Sequence, residues 1–368
     1  MLGVEVIRAH ARFVGPQEVE ADGRRIQARR LVIATGSSPA VPPIPGLAEV
    51  PHLTNETVFD LTERPDHLIV IGGGPIGCEL AQAYRRLGAR VTVLELFSIL
   101  PKDDPDAVRV VRDQLCAEGI DLREQVGVES VAREGNGIAV TVKDAGGARR
   151  ITGSHILVAA GRRANVDGLD LGAGGIEYSP KGIKVDARLR TSNKRVYAIG
   201  DVAGGLQFTH VAAQHAGVVI RNALFRLPAK VDDRAVPWVT YTDPELAHVG
   251  LTEALARDRG VAVDALRWAF KDNDRAQAER ETAGFAKVLV DRRGRIHGAT
   301  IVGERAGELI QPWVLAIANG IKIGALAQFV APYPTLGEVS KRAAGSYYTP
   351  RLFSERTRKL VRLLMRFS

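Results

Sequence analysis

The chain is poor in the residues that would build a thiol relay or a metal cage. Its 368 residues contain two cysteines, Cys78 and Cys116. Their separation excludes a C-x-x-C motif and a zinc framework, so no metal site is expected. Both fall on expected helices, where buried structural thiols are the first reading. Aromatics make up only 5% of the chain, and no apolar run approaches the ~20 residues of a membrane span. No signal-peptide layout opens the sequence, and the cytoplasm is the expected compartment. Apolar content of 45% and charged content of 25% describe an ordinary folded protein with room for two or three domains. The formal charge is +8, but the stretch Arg351 to Ser368 carries six basic residues and one acid. With no basic stripe through the body of the chain, a nucleic-acid partner is not expected.

What is present begins with His67-Leu-Ile-Val-Ile-Gly-Gly-Gly-Pro-Ile-Gly-Cys-Glu79. An apolar strand leads into a G-x-G-x-x-G turn at Gly72, Gly74 and Gly77. A helix then runs from Ile76 to Leu87, Gly88 stops it, and a second strand spans Arg90 to Glu95. Gly72 permits the tight turn, Gly74 lets backbone approach a pyrophosphate, and Gly77 lets helix and strand pack closely. Glu95 ends the second strand, where a carboxylate accepts both ribose hydroxyls and repels a 2′-phosphate. The pattern reads as a dinucleotide site for NAD in preference to NADP.

Before this unit, Val4–Ile7, Ala11–Val14 and Glu18–Ala21 read as a small strand meander. It leads into a buried strand at Leu31 and the turn Ala34-Thr35-Gly36-Ser37. After it, a helix starts at Asp104-Pro105 and closes at Gly119, followed by strands at Val126–Val131 and Ile138–Val142. Lys194 to Asp201 is a further strand ending in Gly200-Asp201. At the carboxyl end of such a strand Asp201 is placed to meet a polar cofactor group, with a plain turn or cap carboxylate as the alternative. A helix from His210 to Phe225 follows. From Pro237 strands and helices form an α+β domain of about 110 residues. Its strands are expected at 238–242, 246–249, 266–270, 284–290 and 296–302, and its helices at 309–318 and 338–344.

One segment repeats. Leu31-Val-Ile-Ala-Thr-Gly-Ser-Ser-Pro-Ala-Val41 aligns with Ile156-Leu-Val-Ala-Ala-Gly-Arg-Arg-Ala-Asn-Val166. Two related dinucleotide modules are implied. The spacing in the second copy puts the first copy's glycine loop before Met1, so that module is expected to lack its front half. At the other end, Phe353, Leu360, Leu364 and Phe367 share a helical face, with Arg358, Arg362 and Arg366 on another. Peripheral contact with anionic membrane lipid and packing on the preceding domain both fit this basic amphipathic helix, the second being preferred.

Together these motifs resemble the class I pyridine nucleotide–disulfide oxidoreductases, the family of dihydrolipoamide dehydrogenase, glutathione reductase and mercuric reductase. The matching stretches are Ala34–Ser37, Gly72–Glu79, Gly161-Arg162-Arg163, Gly200-Asp201, Gln207–His210, Thr242–Glu245 and Tyr333–Glu338. The resemblance implies an α/β fold: Rossmann-like lobes for FAD (incomplete) and NAD, and a C-terminal α+β dimerisation domain. The implied boundaries are 1–50 and 167–232 for the FAD lobe, 51–166 for the NAD lobe, 233–346 for dimerisation and 347–368 for the terminal helix. It implies FAD contacts at Thr35, Gly36, Ser37, Gly200, Asp201, Gln207, Phe208, Thr209 and His210. It implies NAD contacts at Gly72, Gly74, Ile76, Gly77, Glu79, Glu95 and Gly161. The implied enzyme is a homodimer passing hydride between nicotinamide and flavin and on to a small-molecule acceptor. A non-catalytic, NAD-binding, dimerising fragment is the alternative. The family's Cys-x-x-x-x-Cys pair is absent. Tyr333 stands where disulfide reductases place a histidine, with Glu338 retained. Both are the implied catalytic pair, although a packed interface aromatic equally accounts for Tyr333. A tyrosine near its usual pKa of about 10 is a poor base at neutral pH.

Overall fold

The computed structural model describes residues 3–366. The chain divides into two compact units. One contains the residues up to Val41 together with Gly161–Asp233, and the other contains Pro42–Ala160 and the residues from Arg234 on.

In the first unit, Ala11–Gly15, Glu18–Ala21 and Arg24–Gln27 form the antiparallel meander. The expected strand at Val4–Ile7 does not form. Among the described residues no strand pairs with it, and Val4 and Val6 are 73% and 76% exposed. Leu31–Ile33 pairs in parallel with Val196–Ala198 and, among the described residues, with no other strand. The expected burial of this strand is therefore only partial: Ile33 is buried, while Val32 is 47% exposed. Phe13, Ile33, Ala164, Val196, Ala198 and Val202 make the core. The expected helix is found at Thr209–Ala223.

The repeated turns pair with one another. Ser37, Ser38 and Pro39 lie antiparallel to Ala164, Arg163 and Arg162. Ala40 N–H donates to the Gly161 carbonyl at 2.9 Å, and Asn165 N–H donates to the Gly36 carbonyl at 3.0 Å. Moving each residue to its counterpart in the other copy exchanges these two bonds. The sequence repeat is thus a local pseudo-twofold axis.

The second unit holds a four-stranded parallel sheet in the order His155–Val158, His67–Ile71, Arg90–Leu94, Asp121–Arg123. All five residues of His67–Ile71 are buried, as a central parallel strand requires. Helix Pro75–Arg86 packs its Gly77, Cys78 and Ala81 face inward. Helix Pro105–Ala117 starts at Asp104, whose Oδ1 accepts from the Asp106 N–H at 2.9 Å, a side-chain N-cap. Gly127–Glu134, Gly137–Asp144 and Gly147–Gly153 form a separate antiparallel sheet. The third of these strands, and Asp121–Arg123, are too polar to have announced themselves by apolar period. Cys78 is buried as expected, but Cys116 is exposed: it lies beside the buried Leu115, one residue round to the solvent face.

From Arg234, a five-stranded antiparallel sheet runs in the order Pro237–Thr240, Glu245–Gly250, Ile296–Gly303, Phe285–Val290, Asp264–Ala269. The expected helix at 309–318 is divided into Ala306–Leu309 and Gln311–Asn319, and that at 338–344 is Glu338–Ser346. Trp313 is fully buried and donates its Nε1–H to Ser340 Oγ at 3.0 Å, so the indole brings no unpaired polar atom inside. Leu246, Phe285 and Val302 share one buried cluster with Leu68, Val93 and Leu115 of the parallel-sheet layer. Lys287 fastens the two layers. Its buried ammonium meets Asp104 at 2.8 Å, Asp106 at 2.9 Å and Glu253 at 2.9 Å, so each N–H has a carboxylate. Burial alone would lower its pKa, but these bonds outweigh burial and hold it above the ordinary lysine range.

The C-terminal segment forms helices Thr349–Leu352 and Glu355–Leu364. Phe353 falls between them and Arg366 follows them, while Phe367 lies outside the described residues. The expected packing of this helix on the preceding domain is not observed. From Glu355 to Arg366 only Thr357 is less than exposed.

Candidate functional site

Glycine geometry defines the dinucleotide turn in the second unit. Gly72 has φ +109°, and a methyl there would stand 2.5 Å from the Ala159 carbonyl oxygen. At Gly77 a methyl would collide with the Gly72 carbonyl oxygen. At Gly74 a methyl would meet nothing within 4 Å. The first and third glycines are therefore demanded by the fold. The second leaves open space at the head of helix Pro75–Arg86, where unpaired N–H groups and the helix dipole favour an anion. A pyrophosphate fits this cradle.

Glu95 follows the Arg90–Leu94 strand. Its Oε2 accepts from the Gly73 N–H at 2.6 Å, and its Oε1 accepts from the Phe97 N–H at 2.9 Å. One bond to each oxygen leaves each a further acceptor site for ribose hydroxyls. The carboxylate also ties the glycine turn to the end of the neighbouring strand. Ile76 sits half-buried in the first helical turn. Glu79 turns to a different neighbour: its Oε1 accepts from the Tyr241 N–H at 2.8 Å, and burial pushes its carboxyl pKa up. Glu79 therefore joins the helix to the C-terminal sheet.

In the first unit, Gly36 has φ +69° and Gly161 φ +117°, each with open space where a methyl would be. Thr35 Oγ1 donates to the Asn165 carbonyl at 2.8 Å, and Asn165 Nδ2 donates to the Thr35 carbonyl at 2.9 Å. Ser37 Oγ donates to Asp201 Oδ2 at 2.5 Å. Arg162 donates through Nε to Ser37 Oγ and through its terminal nitrogen to the Ser37 carbonyl, both at 2.7 Å. It stands 3.7 Å from Asp201 Oδ2. Asp201 Oδ1 has no hydrogen-bond partner among the described residues and remains an acceptor for a hydroxyl, which suits the ribityl chain of a flavin. Asp201 also lies in the short 3-10 turn Gly200–Ala203, with its carbonyl accepting from Gly204 N–H. Gly200 N–H donates to Nδ1 of the buried His215 at 3.2 Å, and burial lowers that imidazole's pKa, so it stays a neutral acceptor. Gln207 and Phe208 lead into helix Thr209–Ala223, where the Phe208 and His210 rings stack with centroids 5.2 Å apart.

Tyr333 and Glu338 lie in the second unit. The Tyr333 side chain is exposed, and its hydroxyl donates to Asp274 Oδ2 at 2.9 Å. That bond raises the phenol pKa above its ordinary value. Glu338 opens helix Glu338–Ser346. Asn273 caps helix Asp274–Glu279 through Oδ1 and donates Nδ2–H to the Thr335 carbonyl at 3.1 Å, holding the tyrosine loop.

Sequence reasoning passed over Arg162, His215, Asn165 and Asp274. Arg162 and Asn165 stood inside the repeat and could have been drawn from it. His215 and Asp274 carry no local pattern. The two cysteines take no visible part. The Cys78 thiol donates to the Gly73 carbonyl and burial raises its pKa strongly; that of the exposed Cys116 is raised by partial desolvation of its thiol and by the nearby Asp113.

Comparison with known proteins agrees with this geometry. Residues 1–216 match the family model for pyridine nucleotide-disulphide oxidoreductases, and residues 236–344 match that family's dimerisation domain. A mercuric reductase of Bacillus cereus is 38% identical over 344 residues, 93% of this chain and 54% of that protein. The chain thus spans about half the length of that relative. A dihydrolipoyl dehydrogenase of Thermus scotoductus is 37% identical over 353 residues, covering 93% of this chain and 75% of the relative. The HOCl-induced flavoprotein disulfide reductase RclA of Escherichia coli superposes with a TM-score of 0.86 at 28% identity. That match covers 93% of this chain and 79% of RclA. Two family models in sequence, over a glycine cradle and a paired repeat of the matching kind, make this chain a member of the pyridine nucleotide-disulphide oxidoreductases.

Proposed function

We propose that the chain serves a flavin-dependent NAD(H) oxidoreductase, acting as a homodimer on a small-molecule electron acceptor or donor in the cytoplasm. The observation that carries this reading is the Gly72–Gly77 cradle closed by Glu95. FAD, when bound, supplies the ring that exchanges a hydride with nicotinamide; the remaining work falls to this chain's residues. The Gly74 turn and the helix behind it hold the pyrophosphate. Glu95 takes the ribose hydroxyls and excludes a 2′-phosphate, which favours NAD over NADP. Asp201, oriented by Ser37 and Arg162, takes ribityl hydroxyls in the first unit. Tyr333, its proton held more tightly through the Asp274 bond, acts at neutral pH as a hydrogen-bond donor and orienter and not as a base. Glu338 lies on the same substrate side.

A second reading, a non-catalytic NAD-binding and dimerising piece, is favoured by the half-exposed Val32 on its single-partner strand and by the absence of an activated thiol. An absorption spectrum of the purified chain with added FAD separates the two. A flavin band that NADH bleaches supports the oxidoreductase, and no retained flavin supports the second reading. Coenzyme choice is tested by Glu95→Arg, which should weaken NADH binding tenfold or more in a fluorescence titration. Unchanged affinity would remove Glu95 from the site.

A further inference from the structure

Helix Glu355–Leu364 has no residue buried against its own chain. Ser354 caps it, accepting from the Thr357 N–H at 3.3 Å, so the helix is a completed element with both faces in solvent. At 3.6 residues per turn, Leu360, Val361 and Leu364 fall on one side and Arg358, Lys359 and Arg362 on the other, with Arg356 and Leu363 together at one border. The three apolar side chains are 54%, 47% and 58% exposed. Glu355 is the helix's one acid.

We propose that this helix is a docking element for an anionic lipid surface. It lies along the headgroup boundary with Leu360, Val361 and Leu364 inserted and Arg358, Lys359 and Arg362 reaching phosphates. The charge complementarity is direct, and the apolar side chains select lipid over other polyanions, since a nucleic acid would leave them in water. A second copy of the helix is a poorer occupant. One ~15 Å helix offers far less than the ~800 Å² per partner of a stable interface, and it brings two arginine rows together. Among the described residues no helix is long and apolar enough to cross a membrane, so the contact is with the surface.

Co-sedimentation of the whole chain with vesicles tests this, using phosphatidylglycerol–phosphatidylcholine mixtures beside pure phosphatidylcholine. The chain should partition to the anionic vesicles, less so at high salt, and hardly to the neutral ones. Arg358→Glu with Arg362→Glu should reduce partitioning by roughly 25-fold or more, at about fivefold for each basic residue lost. Leu360→Ser with Leu364→Ser should reduce it at least tenfold with the charge intact. In Leu364→Trp, the new indole emission should shift to the blue on anionic vesicles only. Equal binding to neutral vesicles, or full binding by the serine variant, overturns the proposal. So does a lower oligomeric state of the serine variant in lipid-free sedimentation velocity, which would assign the face to a second copy. Each variant leaves Gly72, Glu95 and Tyr333 untouched, so failure here is distinct from failure of the oxidoreductase reading.

Discussion

The two strand-and-turn copies, Leu31–Val41 and Ile156–Val166, have nearly the same sequence texture and unlike surroundings. Ile156, Leu157 and Val158 are buried to within 2% exposure, with His67–Ile71 alongside them. Leu31–Ile33 has one strand beside it, and Val32 is 47% exposed. The turns themselves are alike: Gly36 and Gly161 both have a left-handed φ and open space around them, and the closed-in glycine is Gly72, which meets the Ala159 backbone of the second copy. An apolar run commits a segment to being a strand, but its neighbours decide whether it is buried.

Breaking the closed region at its fastening should have the largest effect. Lys287→Ala leaves the buried Asp104 carboxylate without its ammonium while the part-exposed Asp106 and Glu253 turn to water, and about 3 kcal/mol of stability should be lost. Hydrogen exchange would then rise in His67–Ile71, while exchange in Leu31–Ile33 should stay as it was; equal rises in both would erase the contrast between the units. Next, Gly77→Ala drives a methyl into the Gly72 carbonyl and should cost about 3 kcal/mol together with NADH binding. Gly74→Ala should keep the melting temperature but weaken NADH, because its methyl enters only the open cradle. If both variants melt alike, the assignment of separate roles to these glycines is wrong.

A third test concerns pH. Burial raises the Asp103 carboxyl to about 6, although Trp238 donates to it at 2.7 Å. Burial lowers the neighbouring His248 to about 4. A carboxyl raised on folding contributes stability below its unfolded pKa of about 3.9 and loses it as pH rises through 6. A histidine lowered on folding contributes above its unfolded pKa of about 6.5 and loses that as pH falls through 4. The two slopes oppose one another between pH 4 and 6. Asp103→Asn removes one of them, so acidification from pH 7 to 4 should destabilise the variant by on the order of 2 kcal/mol more than the parent. Parallel stability curves in urea would show that Asp103 is not perturbed. The smallest effect belongs to the open turn: Gly36→Ala should cost about 1 kcal/mol, from its left-handed φ alone.

The sequence by itself determined the local elements and the chemistry they could carry. The glycine spacing marked the tight turn, the acid at position 95 marked the end of the second strand, and the repeat marked a second module. These signals are legible because backbone sterics and apolar period act over a few neighbouring residues. Tertiary structure alone decided which polar groups meet. Glu79 faces Tyr241, Arg162 and Ser37 hold Asp201, His215 holds Gly200, Tyr333 bonds Asp274, and Lys287 gathers acids from two distant stretches. Hydrogen bonds and ion pairs depend on distances of about 3 Å between residues far apart in the chain, and no periodicity records them. Burial was undetermined for the same reason. The strand at Leu31 and the helix at Glu355 both carry apolar side chains, and only the packed chain shows that each leaves some of them uncovered.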